Sequence, residues 1–258
     1  MAESTRFLIL SRGRTGSTFL QRLLDSHTEC ICFEDLYAPR PVPPSPPKCP
    51  ADRFAGMLAG ADLRDTDPVA FLEQSVHRPI DGIGALGFKL FYGHSRQGAA
   101  AALWTHLGRD RSIRVVHLKR RNLLRMFTSM KIALKTGAWW SLDGEPGLED
   151  RRVTLDAAEF ARYVDEVESA RATGAAAFSA HPVFDIDYED FEDYGHGEGG
   201  DEHETLSALL DFLGLRPFRL HTAMARQNPE PLRELIANHD DLAAAFAGTP
   251  AACYFQAA

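Results

Sequence analysis

The opening segment constrains the fold more than any later stretch. Phe7-Leu8-Ile9-Leu10 is a short, unbroken apolar run that stops at Ser11-Arg12-Gly13-Arg14-Thr15-Gly16. From residue 17 to residue 26 the apolar residues return at helical spacing, as Phe19, Leu20, Leu23 and Leu24. Four apolar residues bounded by a glycine-containing loop form a buried strand, here 6–11, and the periodicity that follows forms an amphipathic helix whose start Ser17 or Thr18 can cap. The chain therefore opens with a strand, a tight loop and a helix.

The same alternation continues. Residues 30–33, 85–92, 113–118 and 183–186 read as further strands. Helical periodicity covers a broken region over 51–79, with Phe54, Met57, Leu58, Val69, Phe71 and Leu72 inward. It returns at 96–107, at 122–135 with Leu123, Leu124, Phe127 and Met130 inward, and at 155–177. A further helix at 204–213 ends at Gly214, and short ones lie near 231–236 and 240–246. Strands alternating with helices imply an α/β fold on a parallel sheet.

With 258 residues, 45% of them hydrophobic, the chain can bury a substantial core, and one domain over 1–258 is expected. A formal charge of -8 argues against binding a nucleic-acid polymer, which needs a basic face. Any anion site is then local, and positive charge gathers at Arg12, Arg14 and Arg22 and again at Arg111, Arg114, Lys119, Arg120, Arg121 and Arg125. The early apolar run is too short for a secretory signal core or a transmembrane segment, so a cytoplasmic protein is expected. Cys30, Cys32, Cys49 and Cys253 form no CxxC pair and read as ordinary thiols.

A glycine-rich loop between a strand and a helix turns backbone N–H groups and the positive helix end toward one spot, which suits phosphate or sulfate. Gly13 and Gly16 allow close approach, Ser17 and Thr18 add hydroxyls, and Arg14 adds a forked, permanent charge. The kinase and ATPase loop, GxxxxGK[ST], requires a lysine that Gly16-Ser17-Thr18 lacks, which disfavours NTP hydrolysis.

At Arg14-Thr15-Gly16-Ser17-Thr18-Phe19 the chain resembles the 5′-phosphosulfate loop of sulfotransferases that use 3′-phosphoadenosine-5′-phosphosulfate (PAPS). The family often has lysine where this chain has Arg14, and its carbohydrate-acting branches also use arginine. The resemblance extends to an arginine after an inner strand with a serine eight residues later, here Arg121 and Ser129, which in the family bind the donor's 3′-phosphate. The segment around His117–Ala133 is similar to the bacterial branch that includes nodulation-factor and trehalose sulfotransferases. So are Gly87-Phe88-Lys89, Tyr188-Glu189-Asp190-Phe191, Phe212-Leu213-Gly214 and Arg226-Gln227-Asn228-Pro229.

This resemblance implies a P-loop-like, doubly wound parallel sheet flanked by helices, PAPS as donor and its desulfated product PAP. It places the donor loop at 11–19 (Arg12, Gly13, Arg14, Thr15, Gly16, Ser17, Thr18 and Phe19), the 3′-phosphate segment at 117–133, and Arg226 and Gln227 over the nucleotide. It further implies an acceptor with a hydroxyl, a carbohydrate or glycolipid first and a phenol or other small molecule second. A nucleotide kinase or NTPase and a non-catalytic nucleotide-binding protein are the readings from other classes.

In-line sulfuryl transfer needs a base for the acceptor's proton and charge stabilisation on the leaving oxygens, the latter from Arg14. Glu34 matches a carboxylate used by the trehalose-sulfating relatives and is the expected base. Asp35 beside it and His94 after the strand carrying Lys89 are the alternatives. Lys89 is placed toward the donor's bridging oxygen, and Tyr37, Tyr92, Trp139 and Trp140 are expected around the acceptor, with 34–50 and 137–150 as the substrate loops. His196, Glu198, Glu202, His203 and Glu204 sit in a Gly-rich, solvated setting without ligand spacing, and no metal is expected.

Overall fold

The computed structural model describes residues 4–38, 42–44, 46–94, 100–142, 151–194 and 203–256. The loop of Pro-rich sequence near 39–50 and the stretches 143–150 and 195–202, with His196, Glu198 and Glu202, fall wholly or partly outside them.

The first strand, β1 (Thr5–Ser11), leads into α1 (Ser17–Ser26), β2 (Cys30–Phe33) and a chain of short helices α2 (Ala51–Ala59), α3 (Ala61–Thr66) and α4 (Pro68–Phe71). The last of these runs on into a π-helical turn at Leu72–Val76. Then come β3 (Ala85–Phe91), α5 (Ala100–Arg109), β4 (Arg114–Lys119), α6 (Leu123–Thr136), α7 (Ala157–Ala177) and β5 (Val183–Asp187). The described chain closes through α8 (Glu204–Phe212), α9 (Leu232–Leu235), α10 (His239–Ala245) and a 3₁₀ turn at Pro250–Phe255 that no sequence signal announced.

The strands form one five-stranded sheet in the order β2-β3-β1-β4-β5, every pairing parallel. Alternating residues of β1 face opposite layers, as strand geometry requires. Phe7 and Ile9 pack with Leu20, Leu23 and Leu24 of α1 and Leu209 of α8, whereas Leu8 and Leu10 pack with Phe71, Leu103, Leu107 and Phe178. Helices cover both faces, which is why the central strand β1 is apolar without a break from Phe7 to Leu10. A third cluster joins α6 and α7 to the C-terminal helices through Phe127, Phe160 and Phe246. Gly87 permits the close passage of β3 beside Phe7, where a Cβ would collide with the Phe7 carbonyl and ring.

Two local expectations change. In the broken helical region Met57, Phe71 and Leu72 are buried but Leu58 is 49% exposed, because α2 packs one narrow stripe. The cap of α1 is Gly16, with no side-chain hydrogen bond from Ser17 or Thr18.

The strand order sets the place of a site. The connection leaving β1 runs to β2 on one side, and the connection leaving β4 runs to β5 on the other, so the adjacent carboxyl ends of β1 and β4 flank a topological switch point. Open α/β sheets bind ligands in that crevice.

Candidate active site

Three contacts shape the loop after β1. The Thr15 hydroxyl donates to the Arg12 carbonyl at 2.8 Å, and Nη1 of Arg120 donates to the Arg14 carbonyl at 3.0 Å. Arg14 itself takes a left-handed backbone, φ 71°, which costs a non-glycine residue about 1–3 kcal/mol and recurs at functional sites. Gly16 is also left-handed, φ 83°, and a Cβ there would run into the Tyr188 ring, so only glycine fits. No side chain caps α1, whose first turn presents backbone N–H groups and the positive helix end to the loop.

A cleft opens over this turn. Its floor is Gly16, Ser17, Thr18 and Phe19, one wall is Arg120 before α6 with Arg125 and Ser129 on that helix, and the other is Trp139 and Trp140 with the segment 224–228. Arg14 stands at the centre. Its Nε and Nη2 donate to the Ser129 hydroxyl at 3.0 and 2.7 Å, and its Nη groups also reach the Trp139 carbonyl and the Gln227 side-chain oxygen. Burial, followed by the neighbouring Arg120 charge, lowers its pKa to about 10, so it remains a cation at neutral pH.

Arg120 lies over the Tyr188 ring, 4.7 Å from its centroid. Its buried Nε has no hydrogen-bond partner, and Glu189 Oε1 stands 3.9 Å away, beyond hydrogen-bond reach. Arg125 donates to the carbonyls of Asn228 and Glu230, both at 3.1 Å. Burial pulls both arginines down in pKa. The buried Arg120 and Arg125 and the half-buried Arg14 thus converge on one cleft, a concentration of positive charge suited to an anion.

Of the residues expected at the donor, Arg14, Gly16, Ser17, Thr18, Phe19, Ser129, Arg226 and Gln227 line this one cleft. Others do not. Arg12 turns to α7, 3.3 Å from Glu166 and over the Tyr163 ring. Gly13 lies beside Phe91, and Thr15 is buried inside the loop. Arg121 is 55% exposed and faces outward to Asp190 at 2.6 Å and Asp187 at 3.7 Å, while Glu189 accepts from its backbone N–H and that of Asn122. Arg120, just before α6, and Arg125 within it are the arginines of this segment that face the cleft.

The expected acceptor group separates into two sets. Trp139 and Trp140, both about half exposed, form the cleft wall. Tyr37 and Tyr92 belong to the core, corrected by their packing. Tyr37 donates to the Pro68 carbonyl and packs against Phe71 and Phe88, and the Tyr92 hydroxyl meets His117 Nε2 at 2.6 Å.

Lys89 is 2% exposed, donates to the Thr18 hydroxyl at 3.0 Å and lies 3.5 Å from Asp35. It therefore links β2's end to the floor of the cleft. Glu34 pairs with Arg22 at 2.7 Å. His94 sits in the turn after β3, its ring against Phe91 and its carbonyl accepting from the Trp104 indole.

Tyr188, Met224, Ala225 and Asn228 complete the cleft without having been singled out as site residues. Tyr188 and Asn228 stand inside motifs that carried the resemblance, but Met224 and Ala225 had no chemical signal. Among the described residues no group of three His, Cys, Asp or Glu side chains is placed to hold a metal ion. No helix among them is long and apolar enough to cross a membrane.

No family model matches the chain. Over its whole length it is similar to Nodulation protein H of Rhizobium meliloti (strain 1021), with 24% identity over 257 residues, 98% of this chain and 95% of that protein.

Proposed function

We propose that this chain is a sulfotransferase that moves a sulfuryl group from PAPS to an acceptor hydroxyl, a carbohydrate or glycolipid being the preferred acceptor class. One observation carries the reading. Arg14, charged and half-buried at the switch point, is bonded to Ser129 on the neighbouring strand's helix, so the two donor motifs of the sequence meet across one cleft. The full-length likeness to Nodulation protein H supports the same branch that those motifs resemble.

In this reading the donor's 5′-phosphosulfate lies on the first turn of α1 and against Arg14. The 3′-phosphate lies toward Ser129, Arg125 and the free Nε of Arg120. Phe19 and Tyr188 offer aromatic faces to the adenine. The acceptor oxygen attacks sulfur in line as the bond from sulfur to the bridging oxygen breaks, and the electron pair leaves with the phosphate. Arg14 stabilises the charge that develops there, and Lys89 at the floor stands toward the bridging oxygen.

The acceptor's proton goes to a carboxylate. Glu34, paired with the half-exposed Arg22, is the proposed base, because Asp35 is committed to the buried Lys89. Glu34→Gln is then expected to slow transfer more than Asp35→Asn or His94→Gln.

The test is binding followed by transfer. PAP at saturation is expected to raise the melting temperature, and AMP at the same concentration to raise it less. PAPS with a panel of sugar and phenol hydroxyls should give a sulfated product. Absence of any PAP shift, or turnover with ATP and magnesium in place of PAPS, overturns the proposal.

A further inference from the structure

Every acceptor that fixes Arg14 is neutral. They are a hydroxyl, a peptide carbonyl and a carboxamide oxygen, supplied by Ser129, Trp139 and Gln227. Such a shell orients a guanidinium without cancelling its charge, whereas a carboxylate in the same place would form an ion pair and compete with any anionic ligand.

Gln227 is the member of this shell whose own orientation is fixed. Its side-chain oxygen accepts from Arg14, and its Nε2 donates to the Ala138 carbonyl at 2.6 Å. Reversing the amide would set NH₂ against guanidinium and oxygen against oxygen, so one orientation satisfies both partners. The backbone is fixed as well, since Arg151 donates to the Gln227 carbonyl at 2.9 Å and pairs with Glu230. The same contact ties two walls together. Ala138 and Trp139 belong to the segment that pairs with 224–225 through the Leu142 and Met224 bridge and the 3.1 Å bond from Ala225 N–H to the Ser141 carbonyl.

We propose that Gln227 is a positioning residue for Arg14, holding the guanidinium aimed into the cleft at full charge and tying the tryptophan-bearing wall to the donor loop. It acts through Arg14 and makes no essential contact with the nucleotide. The rate consequence rests on the sulfotransferase reading, but the geometric claim does not.

The experiment uses the full chain with Gln227→Met, which keeps volume without the amide, and Gln227→Glu, each in the native and Arg14→Ala backgrounds. Circular dichroism and thermal unfolding confirm folding. The first readout needs no substrate. Phenylglyoxal modification of Arg14, followed by peptide mass spectrometry, should be several-fold faster in Gln227→Met, because the guanidinium loses one of its holders. Gln227→Glu should slow it.

The second readout is a double-mutant cycle. Gln227→Met should lower single-turnover transfer by about 10-fold with PAP affinity changed less than about 3-fold, and Gln227→Glu should weaken PAP by about 10-fold or more. In the Arg14→Ala background both should shrink to less than about 2-fold. Equal losses in both backgrounds would show that Gln227 touches the nucleotide itself, and unchanged Arg14 reactivity would remove the positioning role. If native protein neither binds PAP nor transfers sulfate, the functional reading falls while the reactivity of Arg14 still decides the claim about Gln227.

Discussion

The two ends of the sheet both bury charge, but they balance it differently. At the amino end Arg6 lies 3.0 Å from Asp110 and 3.8 Å from Glu73, and Glu73 also accepts from His77 and His106, at 3.3 and 3.1 Å. The cation there, Arg6, meets two carboxylates. At the carboxyl end the side chains of Arg14, Arg120 and Arg125 hydrogen-bond neutral oxygens and one Arg120 nitrogen has no hydrogen-bond partner, with Glu189 3.9 Å from Arg120 and Glu192 pairing Arg226 at 3.0 Å. A perturbed pKa alone would not tell these ends apart, since burial lowers His77 to about 4 and Arg14 to about 10. What separates them is charge balance. Where carboxylates answer the cations, folding explains the network, but clustered arginines bonded mainly to neutral oxygens are costly to bury and suit a ligand that supplies negative charge.

The largest effect should expose this contrast directly. Arg14→Ala is expected to lower the rate of sulfuryl transfer by about 10²–10³-fold, the range for losing a donor aimed at developing charge. Its melting temperature should hold or rise, because a desolvated cation has been removed. Arg6→Ala should do the reverse, leaving transfer unchanged and costing stability. Parallel rate assays and melts on the two variants decide it, and a stability loss in Arg14→Ala matching that of Arg6→Ala would break the comparison.

Next in size is acid sensitivity, which belongs to the amino end. His77 is buried and titrates near 4 in the folded chain against 6.5 when free, chiefly from desolvation, with Glu73 opposing it. As pH falls from 6.5 toward 4 the unfolded chain takes up a proton that the folded chain refuses. Stability is therefore lost as pH falls through that window, by on the order of 2–3 kcal/mol. Denaturant melts of His77→Phe between those pH values should show a flatter profile, whereas Arg14→Ala should retain the native slope. An unchanged slope in His77→Phe would place the acid sensitivity elsewhere.

How much of this was legible depends on whether the signal was periodic or positional. β2 and α1 have the bounds that the apolar pattern set, and β1, β4 and β5 differ by a residue or so, because burial on both faces writes itself into consecutive side chains. The parallel sheet followed from alternation. The switch point did not, since strand order depends on tertiary packing. At the cleft, glycine, hydroxyl and arginine spacing marked the floor, but spacing from 120 to 125 could not say which of Arg120, Arg121 and Arg125 turns inward. Arg121 was drawn out by Asp187 and Asp190. Tyr37 and Tyr92 illustrate the other limit, for an aromatic side chain fits a core as readily as a substrate wall, and neither period nor composition distinguishes the two.

The smallest expected difference resolves those three arginines. Arg125 and Ser129 line the cleft, and Ser129 accepts from Arg14 and Asn228 while its own proton remains to give to a phosphate oxygen. Arg125→Ala and Ser129→Ala should therefore weaken PAP by about 10-fold, the worth of a charge-assisted hydrogen bond, while changing AMP affinity little. Arg121→Ala should weaken PAP by less than about 3-fold, because its guanidinium is exposed and engaged with two aspartates, and exposed pairs contribute little. Calorimetric titration of PAP and AMP against the three variants measures all six affinities. If Arg121→Ala instead gives the larger selective loss, ligand binding must pull Arg121 away from Asp187 and Asp190 into the cleft. The outward pairing would then be a resting arrangement that the 3′-phosphate displaces, and matched charge would no longer mark a residue as structural at this end of the sheet.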